Sequence, residues 1–151
     1  MTRGSHRLRK GRTSIENQPY FITTAVQDRI PVLTNPEAAN VVLAALKWLE
    51  KHDRMVLDSA VVIPDHLHFI ASLKYGELPR LMQSLKGYTG RQINTLLNKK
   101  GVLWQAQYHE HAIRKDEVLS EIVLYMLQNP VRAGLVDDFH DYPFWYCRWA
   151  V

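Results

Sequence analysis

An α+β fold, a ferredoxin-like antiparallel sheet built on a split βαβ pattern, is predicted for this 151-residue chain by two observations. Aromatic and β-branched runs alternate with apolar stripes at helical spacing. Their order is strand, helix, strand, strand, helix, strand, helix. That order puts helices on one face of the sheet and appends a C-terminal helix carrying Tyr125. The length suits a single domain over residues 1–151, and an apolar content of 46% supplies a core.

Residues 20–26 read Tyr-Phe-Ile-Thr-Thr-Ala-Val, a strand by propensity. Asn35, Pro36 and Glu37 give an N-cap, a first-turn proline and an early acid. Ala39, Val42, Leu43, Leu46 and Leu49 then carry a helix to about His52. Strand character returns from Met55 to Ile63. Pro64-Asp65 marks a tight connection, so a hairpin partner follows and ends near Lys74. Leu78-Pro79-Arg80 opens a second helix whose stripe includes Leu81, Leu85, Ile93, Leu96 and Leu97, with Gly87 and Gly90 weakening its middle. Residues 102–114 are expected as a strand, aromatic at Trp104 and Tyr108. Asp116 is expected to cap a third helix carrying Leu119, Ile122, Val123 and Met126, which Pro130 ends or kinks. The aromatic tail, residues 141–151, is expected to pack against the body.

The net charge of +4 is unevenly spread. Arg3, Arg7, Arg9, Lys10 and Arg12 crowd the first twelve residues without an acid, and residues 1–18 read as a basic arm. With Leu8 as its main apolar residue, the arm is a poor membrane helix and suits phosphate better. No apolar run approaches bilayer length, and no signal peptide follows the basic start. The single cysteine, Cys147, excludes an internal disulfide and a thiolate cluster. A cytoplasmic, nucleoid-associated location is expected.

Chemistry concentrates at Pro64-Asp65-His66-Leu67-His68-Phe69. Strand side chains alternate, so His66 and His68 point one way and Leu67 into the opposite layer. Two imidazoles on one rigid face make half of a metal site, although the spacing equally suits a pair of hydrogen-bonded histidines. His109 and His111 alternate in the same manner and form a rival pair, with Glu110 facing away. On the third helix Tyr125 and Asn129 stand one turn apart on one face. Spacing alone also suits a core-edge tyrosine and a helix-end asparagine.

The motifs Pro64-Asp65-His66-Leu67-His68, Leu103-Trp104-Gln105 and Glu110-His111-Ala112-Ile113-Arg114 occur in order, followed by Tyr125-Met126-Leu127-Gln128-Asn129-Pro130-Val131-Arg132-Ala133-Gly134. With them the chain resembles the REP-associated tyrosine transposases. These are domesticated relatives of the HUH-type insertion-sequence transposases that act on single-stranded DNA. The resemblance spans nearly the whole chain, from Arg9-Lys10-Gly11-Arg12 to Asp141-Tyr142-Pro143-Phe144.

It implies that His66 and His68 hold a divalent metal, Mg²⁺ or Mn²⁺, and that Tyr125 is the nucleophile. Asn129 completes the metal shell where many relatives carry glutamine. The implied activity is nicking and rejoining of hairpin DNA through a covalent 5′-phosphotyrosine. A phenol suits this chemistry because it ionises near pH 10, far below an alcohol, and so both attacks and leaves readily. Arg7, Arg9, Lys10, Arg12, Lys86, Arg91 and Arg114 are the expected phosphate contacts. The resemblance makes the His109–His111 segment structural or DNA-facing. Monomer and homodimer both remain open, as does a catalytically silent hairpin-binding protein of the same fold. A metal-dependent hydrolase is a weaker third reading, because water attack leaves Tyr125 without a role.

Overall fold

The computed structural model describes residues 17–151. Strands β1 (Pro19–Ala25), β2 (Met55–Ile63), β3 (His66–Leu73), β4 (His109–Ala112) and β5 (Trp145–Cys147) form one antiparallel sheet, in the order β4-β1-β3-β2-β5. Without β5 this is the order that the split βαβ pattern produces. The helices are α1 (Pro36–Lys51), α2 (Leu78–Leu96), α3 (Leu119–Leu127) and the short α4 (Asn129–Arg132). Among the described residues no helix is long and apolar enough to cross a membrane.

The strand alternation read from the sequence builds two cores. Ile22, Leu57, Leu67 and Phe69 pack with Val42 and Leu46 of α1 and Leu81 and Leu85 of α2 on one face. Val61, Ile63 and Ile70 pack with Val123, Met126 and Leu127 of α3, and with Phe139 and Tyr142, on the other. α1 and α2 thus share one face, and α3 with the tail covers the second. Asn35 caps α1 as expected, its side chain accepting from the Ala38 N–H at 3.1 Å.

Three expectations need correction. Residues 102–108 are not strand: only Trp104 makes an isolated bridge, to Val26, and regular pairing begins at His109. The reason is that α2 side chains bind this segment. Lys86 donates to the carbonyls of Gln105 (2.6 Å) and Ala106 (3.1 Å), and buried Trp104 donates its indole N–H to Thr89 at 2.9 Å. Asp116 does not cap α3, whose flanking residue is Val118 with no side-chain cap. Its carboxylate lies 3.6 Å from Arg114 Nε, while Glu117 accepts the Arg114 backbone N–H. The tail packs on the body as expected, but it also adds β5, which pairs Trp145 with Val61 and Cys147 with Ser59.

Pro130 breaks the third helix as its missing N–H requires. α3 stops at Leu127 and α4 restarts at Asn129 with the proline in its first turn. Gly134, at φ 75°, then ends the segment in the left-handed conformation that glycine adopts without strain.

Candidate metal and nucleophile site

Register fixes the pair. His68 stands between Thr23 of β1 and Val61 of β2, and His66 between Ala25 and Ile63. Leu67 is fully buried in the opposite layer, as alternation demands. Two backbone bonds pin the turn that precedes them, from Val26 N–H to the Asp65 carbonyl and from Leu33 N–H to the Pro64 carbonyl, each 2.9 Å.

Each imidazole is held by its Nδ1. Asp65 Oδ1 lies 2.7 Å from His66 Nδ1, and Thr23 Oγ1 lies 2.7 Å from His68 Nδ1. A carboxylate only accepts, so His66 Nδ1 carries its proton and its Nε2 is left for a ligand. Burial alone raises the Asp65 pKa, but hydrogen bonds from Arg29 (Nε to Oδ2, 2.9 Å) and His66 outweigh it and bring the carboxyl below its usual range. Burial, then the neighbouring His66, Arg132 and Arg29, lowers His68 to about 3. His68 is therefore neutral near pH 7, which is the state that binds metal.

The two Nε2 atoms converge to 3.0 Å. Nitrogens bound side by side to one ion at about 2.1 Å, with a right angle between them, stand about 3.0 Å apart. The Asn129 amide nitrogen lies 3.2 Å from His68 Nε2, and half a turn of that amide presents its oxygen instead. Among the described residues no three His, Cys, Asp or Glu side chains gather as a metal site. The third protein ligand available is thus the Asn129 amide, which leaves further positions for water or substrate oxygen. This nitrogen and oxygen donor set fits a divalent ion such as Mn²⁺ or Mg²⁺.

Asn129 opens α4 beside His68, and Tyr125 lies four residues earlier on α3. Tyr125 is 63% exposed, so its hydroxyl is reachable by a large substrate. The guanidinium of Arg132 lies over its ring, 3.9 Å from the centroid.

The expected phosphate contacts do not join this cluster. Lys86 and Arg91 are on α2, across the sheet, and Lys86 is engaged with the Gln105 and Ala106 carbonyls, with burial lowering its pKa. Arg91 lines a cleft of about 580 Å³ between α2 and residues 101–108. Arg114 follows β4 and sits by Asp116 and Glu117. Arg7, Arg9, Lys10 and Arg12 lie outside the described residues. Of the rival pair, His111 engages Glu117 through Nε2 at 3.0 Å.

Sequence reasoning missed Thr23, Arg29 and the partnering role of Asp65. Asp65 beside His66 was the available signal. Thr23 is 45 residues from its partner and carried none.

Residues 14–129 match the family model described as "Transposase IS200 like". A REP-associated tyrosine transposase of Escherichia coli K12 is 29% identical over 133 residues, covering 86% of this chain and 76% of the relative. A Haemophilus influenzae relative, given the same name with a provisional qualifier, is 26% identical over 136 residues, covering 83% and 77%. A solved REP-associated tyrosine transposase bound to a REP hairpin aligns with a TM-score of 0.72 at 25% identity, covering 89% of this chain and 79% of that one.

Proposed function

The chain belongs to the IS200-like transposase family, and from that premise we propose that it nicks and rejoins hairpin-forming single-stranded DNA through a covalent bond to Tyr125. One observation carries the reading. His66, His68 and Asn129 converge, with Tyr125 four residues before Asn129, on α3 just ahead of the break that starts α4.

The hydroxyl of Tyr125 attacks a phosphodiester phosphorus, a bond forms from Oη to phosphorus, and the bond to the 3′ oxygen breaks. The phenol loses one proton and the departing 3′ oxygen gains one, so the step is proton-neutral overall. The product is a 5′-phosphotyrosine with a free 3′ hydroxyl, and attack by such a hydroxyl reverses it without ATP. His66, His68 and Asn129 would hold a divalent ion, which when bound supplies Lewis-acid stabilisation of phosphate charge. Thr23 and Asp65 orient the imidazoles, and Arg29 orients Asp65.

The Asn129–His68 contact is made within one chain, which supports a monomer that uses its own tyrosine. Strand-separating gels of end-labelled hairpin DNA incubated with protein and Mn²⁺ test the activity. A slowed, protease-sensitive band supports it. Free cleaved ends without such a band favour a hydrolase, and intact DNA that is merely bound favours a silent hairpin binder.

A further inference from the structure

Arg132 stands out among the cations near the site. Arg29 is committed to Asp65. Arg132 is exposed, and among the described residues no carboxylate pairs with it. Its contact is with the face of the Tyr125 ring. A guanidinium stacks through its flat face, which leaves its in-plane N–H donors free to bind an anion. The break at Gln128 sets this geometry: α4 carries Asn129 to His68 and, at its other end, Arg132 back over Tyr125.

We propose that Arg132 is a second catalytic residue, stacking on Tyr125 to aim the phenol while its edge grips a non-bridging oxygen of the phosphate under attack. The inference rests on the function proposed above. The transferring phosphate spreads charge over its equatorial oxygens, and a planar fork matches two of them or one phosphate edge. Stacking limits the ring's rotation, so nucleophile and electrophile-stabilising cation arrive as one unit. The step itself is the balanced exchange already described, in which Arg132 neither gains nor loses a proton.

The test is single-turnover adduct formation on labelled hairpin DNA with Mn²⁺ and excess protein. Intact protein, Arg132→Ala and Arg132→Lys are compared, on ordinary DNA and on DNA with a methylphosphonate at the cleaved position. Arg132→Ala is expected to slow adduct formation by about 10²-fold, the usual effect of removing one preorganised charge-stabilising group, while DNA affinity changes less than about fivefold, since one phosphate contact among many is lost. Arg132→Lys recovers part of the rate, and guanidinium added to buffer partly rescues Arg132→Ala. On the methylphosphonate, which lacks the charged oxygen, the intact protein and Arg132→Ala should differ by less than about threefold.

An equal loss on both substrates overturns the phosphate contact, as does an unimpaired Arg132→Ala on ordinary DNA. An intact protein that forms no adduct at all overturns the proposed function first and this inference with it. Each failure is therefore distinguishable from the other.

Discussion

The amide nitrogen of Asn129 stands 3.2 Å from His68 Nε2, although 61 residues separate them in the chain. The contact joins the broken C-terminal helix to the central strand β3 of the sheet. It is made on the face where Val123, Met126 and Leu127 bury against Val61, Ile63 and Ile70. Hydrophobic packing therefore positions the polar groups, and the position of Tyr125 follows from it.

Thr23→Val should lower Mn²⁺ affinity by about 10- to 100-fold, the usual cost of losing a group that orients a metal-ligating histidine. Valine matches threonine in shape, so the sheet should persist. Titration calorimetry with Mn²⁺ gives the answer, and Thr23→Ser should retain most of the affinity. Unchanged binding by Thr23→Val would mean that His68 needs no orienting partner.

Asn129→Ala should weaken Mn²⁺ binding and leave the far-UV circular dichroism unchanged, because the side chain closes no core. Asn129→Asp should tighten binding, since a carboxylate is the stronger ligand for a hard divalent cation. If both variants bind as the intact protein does, Asn129 is not a ligand.

A mixture of Tyr125→Phe and His68→Ala proteins should stay inactive. Each chain's helix reaches its own histidines here, so neither variant holds a complete site. Recovery of adduct formation on mixing would instead show tyrosine supplied between two chains.

Alkali should expose the buried Tyr142. Burial pushes its phenol from 10.0 up to about 12, and its hydroxyl donates to the Val62 carbonyl at 2.5 Å. The folded chain holds this proton to a higher pH than the unfolded chain does. The resulting stability is complete below pH 10 and is lost as pH rises towards 12. Tyr142→Phe should be less stable at pH 7 by about 1 kcal/mol, from the lost hydrogen bond. Its melting temperature should also fall less steeply above pH 10. A parallel fall in both proteins contradicts the assignment.

Much of this architecture was legible because it depends on local patterning. Alternation placed His66 and His68 together and Leu67 opposite, and the Asn35-Pro36 start and the apolar stripe located α1. Pro130 announced the break before Arg132. What escaped depends on distant partners. Residues 102–108 have the composition of a strand, yet Lys86 of α2 takes the Gln105 and Ala106 carbonyls that a neighbouring strand otherwise would, and Thr89 anchors the Trp104 indole. Trp145–Cys147 has strand propensity, but whether an aromatic tail pairs or merely packs is decided by the open edge of β2. Thr23 and Arg29 gain their roles only when β1 and its following turn meet β3. Arg29 reaches Asp65 from a backbone at φ 56°, a conformation that side-chain patterns do not announce.

In the proposed reaction Tyr125 takes the DNA strand onto itself. The most direct measurement is mass spectrometry of tryptic peptides, after nuclease trimming of a complex formed with hairpin DNA and Mn²⁺. A nucleotide phosphate is expected on the peptide containing Tyr125 and is expected to be absent from Tyr125→Phe. A nucleotide on any other residue, or an adduct that persists in Tyr125→Phe, would contradict it.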